Sequence, residues 1–358
     1  MEALPLHAFH LAHGAQFVDV NGFEAVANYG DPRSEHRALC ETAGAIDLSI
    51  RSRLCLAGTD RSRFLHGQVT NDINHLTAGK GCYAALVTAK GRMESDLNVF
   101  ALADELLLDF EPGLAQLVTQ RLEKFIVADD VQVVNVAPHY GLLSVQGPAA
   151  ADTVRGLQLF PELPAKPLSL IKIVEPDLGE LLVMNHPRLG SAGFDLFIPA
   201  TALERLAERV IATTECVGGR RCGWQAFEIA RVEAGIPRFG VDMDSTNLPQ
   251  ECGIEQRAVS YTKGCYVGQE VLNRLHTMGH VNRELCRLRL PDGLSALPAK
   301  GSKLVWQGKE AGHITSAVTS PTHQANVALG YVRREALAAG GELRCQCVGG
   351  EFAVRVLA

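Results

Sequence analysis

The sequence predicts an α+β protein that ends in a small all-β unit. Three observations carry this reading. Up to about residue 280, helical periods and two-residue strand periods are mixed. Beyond it, short apolar runs recur between glycine turns, the pattern of a small β-barrel. A chain of 358 residues, at about 100–200 residues per domain, makes two or three domains. The 47% apolar and 21% charged content is that of a folded globular chain. A formal charge of −6 and only 6% aromatics argue against a nucleic-acid partner, which needs a basic surface or stacking rings. The longest apolar run, residues 82–87, falls far short of the roughly 20 residues of a membrane span. Early Glu2 and Pro5 do not fit a secretory or transit leader. A cytoplasmic address and no membrane partner are therefore expected.

Taken in order, the opening yields one helix, residues 34–43, ended by Gly44. Residues 45–58 alternate as one strand, with Ile46, Leu48, Ile50, Leu54 and Leu56 in phase. A short helix over 60–66 has Asp60 as its cap. Residues 83–88 and 93–102 form a hairpin around Ala89-Lys90-Gly91-Arg92. The helix 112–125 starts near Pro112 and turns Leu114, Leu117, Val118, Leu122 and Phe125 inward. A strand follows at 131–136, then strand–turn–helix over 140–157. A strand pair at 181–185 and 194–198 precedes helices over 201–212 and 223–234. Residues 235–262 keep no apolar period, and so long a loop inside a compact chain is usually functional. Six strands close the chain, at 284–290, 303–307, 311–318, 327–333, 342–348 and 351–357.

Ten cysteines are scattered through the chain, so free thiols in a reducing compartment are expected. There is no Cys-x-x-Cys, Cys345 and Cys347 read as structural, and His276 with His280 as a surface pair, so no metal site is predicted. Phosphate-binding glycine loops, the nucleophile elbow and the zinc-binding helix motif are absent. The informative run is Lys-Gly-Cys-Tyr-Val-Gly-Gln-Glu at 263–270. If Cys265 occupies the first turn of a helix reaching about Leu275, the helix dipole and Lys263 favour its thiolate. The other reading is an ordinary glycine-rich junction with a buried cysteine. Asp96 and Asp195 lie in alternating strands and Glu228 in an apolar helix, and the sequence alone does not bring them together.

The run 263–270, with Lys263, Gly264, Cys265, Tyr266, Gly268, Gln269 and Glu270, resembles the signature of the YgfZ-like branch of the aminomethyltransferase superfamily. That superfamily has the folate-binding fold of the glycine-cleavage T-protein, and the branch supports iron–sulfur cluster maturation. Ile-Asp-Leu-Ser at 46–49, Thr-Asn-Asp at 70–72, Arg-Val-Glu-Ala-Gly-Ile-Pro at 231–237 and Ala-Leu-Gly-Tyr-Val at 328–332 extend the resemblance over most of 40–335. It implies three domains, 1–50 with 138–222, 51–137 with 223–280, and the barrel 281–358. The first two would surround a central opening for tetrahydrofolate or another reduced folate. It places Asp195, Glu228, Asp96 and Tyr266 about the folate, and gives Cys265, Lys263 and Asp96 as catalytic residues. The implied function is a folate-binding accessory to iron–sulfur assembly or repair, with assembly proteins or client enzymes as partners. The alternative is a folate-dependent aminomethyltransferase, a one-carbon transferase. Against that alternative, Phe227 stands where the T-protein has an arginine beside the helical acid, and the T-protein lacks the cysteine motif.

Overall fold

The computed structural model describes residues 1–340, 342–347 and 350–357. Two large antiparallel-dominated sheets, a two-stranded ribbon of Gln16–Val20 and Phe23–Asn28, and a barrel make up the architecture. The first sheet has strand order Leu170–Glu175, Gly179–Asn185, Gly193–Pro199, Tyr140–Gln146, Gly44–Asp47, Arg220–Arg221. Helices Ala150–Gly156 and Leu203–Cys216 cover one of its faces, burying Val154, Leu203, Leu206 and Val210 against Leu143, Val145 and Leu196. The second sheet runs Gly81–Val87, Met93–Ala101, Leu106–Phe110, Ser52–Ala57, Gln132–Asn135. Its outer face is closed by helices Arg61–Gln68 and Ala115–Glu123, through Phe64, Leu65, Val118 and Leu122. The six final strands form a closed barrel, the α+β arrangement with a terminal barrel that the sequence predicts. Val348, the last residue of the expected strand 342–348, lies outside the described residues. Among the described residues no helix is long and apolar enough to cross a membrane.

Several elements differ from the sequence reading, each for a physical reason. The run 45–58 is two strands in two sheets, Gly44–Asp47 and Ser52–Ala57. Between them the Asp47 Oδ1 accepts from Ser49 N (2.8 Å) and Leu48 O from Arg51 N (2.9 Å), a tight turn invisible to an alternation count. The helix expected from Pro112 begins at Ala115, because Gly113 has φ +82° and cannot belong to it. Only Val118 and Leu122 of its five expected inward residues are fully buried there, and Leu117 is 47% exposed. Asp60 sits at the start of its helix, which runs Arg61–Gln68, but turns its carboxylate to Asp130 N (3.0 Å) instead of capping. The helix after the cysteine motif is Gln269–Met278, so Cys265 precedes it by a full turn and is not in its first turn.

Candidate active site

The two sheets and the loop 235–262 enclose a pocket of about 420 Å³. Apolar side chains Leu168, Phe227, Ile236 and Pro237 line part of it; polar and charged ones line the rest. Asp96 enters from the strand Met93–Ala101, where the pleat puts it beside Asn98 on the pocket-facing side while Leu97 and Val99 point into the core. Its Oδ2 accepts from the Tyr83 hydroxyl at 2.8 Å. Its Oδ1 is buried and has no hydrogen-bond partner. Burial first, and then the nearby Glu111 charge, push the Asp96 carboxyl up to about 6, against relief from Tyr83 and Arg51. Asp96 thus changes charge close to neutral pH, with one acceptor oxygen waiting.

Around it runs a chain of alternating charges that no sequence motif displays. Asp195 pairs with Arg188, which also holds Asp109 at 2.8 Å. Arg51 bridges Asp109 (2.7 Å) and Glu111 (3.2 Å). Arg238 joins Glu111 to Glu228, both at 2.9 Å. Arg231 then joins Glu228, at 2.8 Å, to Asp242. Burial alone would raise the acids of such a chain, yet Arg188 and Arg51 hold Asp109 well below the usual carboxylate range. Arg238 and Arg51 likewise outweigh burial at Glu111. Asp109 and Glu111 are therefore ionised and geometrically fixed. Arg51, Asp109, Glu111, Arg188, Arg238 and Asp242 were not singled out from the sequence. The available signal was charge inside apolar strands, as in Leu-Leu-Leu-Asp-Phe-Glu at 106–111.

The residues that the sequence did single out fall into three groups. Asp96 faces the pocket. Asp195 and Glu228 stand one layer behind it. Asp195 is fully buried and accepts from Ser144 Oγ (2.7 Å), His186 (2.8 Å) and Arg188 Nε (2.9 Å), and it is His186 and Arg188 that reach the pocket. Glu228 receives both Arg231 and Arg238, so the guanidinium missing at Phe227 is supplied to this acid from two other positions. Phe227 itself stacks on Trp224 and forms apolar wall.

The motif residues do not reach the pocket. Lys263 Nζ points inward and donates to the carbonyls of His66 (2.5 Å), Val69 (2.7 Å) and Asn71 (2.8 Å). It therefore fastens the end of the helix Arg61–Gln68 instead of activating a thiol, and burial lowers its own value to about 8. Tyr266 packs with Ala85, Val87 and Met93 behind the sheet, away from the pocket. Gly268, at φ +86°, lies where a Cβ would stand 2.5 Å from Thr88 O, so only glycine lets the loop close on the hairpin that leads to Asp96. Cys265, Gln269 and Glu270 are at the surface or partly so, with Cys265 exposed.

A buried, charge-paired pocket between two α+β halves, with a closed barrel behind them, defines a T-protein-type fold. Residues 6–263 match the family described as GCVT N-terminal domain, and residues 283–358 the glycine cleavage T-protein C-terminal barrel domain. The chain belongs to the glycine cleavage T-protein family. It is 27% identical over 354 residues to an aminomethyltransferase from Shouchella clausii, covering 99% of this chain and 95% of that one. A Cupriavidus necator aminomethyltransferase is 28% identical, with 94% and 90% covered. The structure of glycine cleavage system aminomethyltransferase T from Bartonella henselae shares the fold, with a TM-score of 0.89 over 100% of this chain and 97% of that one at 24% identity. These findings reach the superfamily and stop short of the YgfZ-like branch.

Proposed function

We propose that this chain binds tetrahydrofolate or a related reduced folate in the pocket and acts as a folate-dependent one-carbon transferase of the aminomethyltransferase type. The observation that carries this reading is the unpartnered, buried Oδ1 of Asp96 in a pocket whose other acid, Glu111, is engaged by Arg51 and Arg238. The residues present fit such a ligand. An ionised Asp96 accepts N–H donors of a heterocycle. Leu168, Phe227 and Ile236 give its rings apolar walls, and Arg257 offers a cation for a carboxylate tail. Reduced folate supplies the nucleophilic nitrogen that receives the one-carbon unit. Asp96, titrating near 6, is suited to hold or release a proton during transfer. The chain of ion pairs keeps the wall rigid and needs no reorganisation as charge shifts. Tetrahydrofolate titrated into the protein should bind, and an aminomethylated lipoyl carrier should then turn over. Absence of folate binding sinks the reading.

A second reading, support of iron–sulfur cluster assembly with assembly proteins or client enzymes as partners, is favoured by one observation. Cys265 stands exposed on a loop that Lys263 and Gly268 hold rigidly. It predicts folate binding without turnover of the carrier, and failure of Cys265→Ser to support a cluster-dependent enzyme in a complementation assay.

A further inference from the structure

His36 and Cys40 stand one turn apart on the helix Pro32–Glu41 and face Glu233 at the end of the helix Trp224–Glu233. His36 Nε2 lies 2.7 Å from Glu233 Oε2 and 3.5 Å from Cys40 Sγ. The three donor atoms lie within 4.8 Å of one another. Both neighbours meet the same ring nitrogen. A nucleophile–base–acid relay needs the thiol on one imidazole nitrogen and the carboxylate on the other, so this cluster is not a relay. Donors of three kinds converging on one point are how side chains surround an ion.

The separation of Cys40 Sγ from His36 Nε2 agrees with this. Bonds of about 2.3 Å to sulfur and about 2.0–2.1 Å to nitrogen put tetrahedral S and N ligands about 3.5 Å apart. Glu233 Oε2 would retreat by roughly half an ångström to admit the ion. The carboxylate is also oriented from behind. Ser320 Oγ donates to its Oε1 and Thr322 Oγ1 to its Oε2 at 3.1 Å, the kind of outer contact that fixes a ligating carboxylate. His36 is 1% exposed, which holds the ring in place. Cys40 is exposed and opens on a cleft of about 590 Å³ between this helix and the barrel turn at 319–326.

We propose that His36, Cys40 and Glu233 bind a divalent metal ion of the zinc class, with a fourth position open to that cleft. One thiolate with one imidazole selects such an ion over magnesium or calcium. The ion replaces the thiol proton and the proton shared by His36 and Glu233, and both leave to solvent. None of the three residues lines the folate pocket, so the site is a separate one. It is silent in the sequence because His36 and Glu233 are 197 residues apart.

The test is titration of the full chain with Co²⁺, followed by displacement with Zn²⁺. A thiolate-to-cobalt charge-transfer band with intense tetrahedral visible bands should saturate at a single ion per chain and disappear as zinc is added. Cys40→Ser, at an exposed position that leaves the core intact, should abolish the charge-transfer band, whereas Cys216→Ser, another exposed thiol, should leave it unchanged. Ser320→Ala should weaken binding about 10–100-fold by freeing the carboxylate. A titration without the band, or a band that survives Cys40→Ser, overturns the proposal. Unchanged affinity in Ser320→Ala removes Glu233 and overturns the three-ligand site.

Discussion

The pocket wall and the loop 263–270 treat charge in opposite ways. In the wall, Asp195, Arg188, Asp109, Arg51, Glu111, Arg238, Glu228, Arg231 and Asp242 follow one another in alternating sign, each held by the next. Asp96 stands outside that series with one oxygen unengaged. In the loop, Lys263 gives its donors to three backbone carbonyls, and the neighbouring Cys265 faces water. Fixed charges around one free acceptor prepare a site for a ligand. A lysine sunk among carbonyls satisfies buried backbone and so fastens a loop. Under the proposed function, ligand chemistry belongs to the wall and mechanical support to the loop.

The sharpest way to break that division is at Asp96. Asp96→Asn keeps the shape but cannot accept a proton, and transfer activity should fall about 10²–10⁴-fold. Its stability should move the other way. The folded value of about 6 exceeds the ordinary 3.8, so the favourable, protonated contribution is complete below about pH 4 and is lost as pH rises through 6. Asp96→Asn should therefore be more stable than the parent by about 1–3 kcal/mol above pH 6, with the gap closing in acid. Denaturant melts at two pH values measure this, and a variant less stable at neutral pH would show that Asp96 belongs to the paired framework.

Lys263→Met comes next. It leaves the His66, Val69 and Asn71 carbonyls without their donor, at about 1–3 kcal/mol for each one that stays buried, so a stability loss of at least about 2 kcal/mol is expected. A loss below 0.5 kcal/mol, roughly the scatter of surface substitutions, would show that the lysine does not fasten the loop.

The smallest effect belongs to Cys265→Ser. Stability should stay within about 0.5 kcal/mol and folate affinity should be unchanged in a titration. A marked drop in affinity would extend the ligand site into the motif and erase the contrast with the wall.

The barrel was legible because apolar runs recur there between turns, a local pattern that needs no knowledge of distant contacts. The face that Asp96 takes was legible because a hairpin turn fixes the phase of the strand that carries it, whereas its role came only with the family resemblance. The ion-pair chain was not, since Arg51 finds Glu111 60 residues away and Arg238 finds it 127 residues away, distances over which periodicity says nothing. One miss was avoidable. The strands Gln16–Val20 and Phe23–Asn28 are joined by Asn21-Gly22, both at positive φ, and Asn-Gly between alternating runs is the strongest short-range hairpin signal. Cys265 was misplaced because Gly268, in a left-handed conformation, delays the helix start to Gln269.

The far end of the charged series, held by Arg231 and by Arg238 N (3.1 Å), is also tied to the barrel. Asp242 accepts from Thr315 Oγ1 at 2.6 Å and Ser316 Oγ at 2.7 Å, both from the barrel. Tyr331, also from the barrel, is 1% exposed in the core cluster beneath the loop 235–262 and meets Cys252 Sγ at 3.2 Å. The barrel therefore acts as a keystone for the pocket. Stripped from the rest, it would leave an open socket at Cys252 and a buried aspartate short of two donors, both costly. Heat should consequently melt the three parts in one cooperative step, and a barrel substitution such as Ser316→Ala reaches the pocket through charge without touching anything bound there.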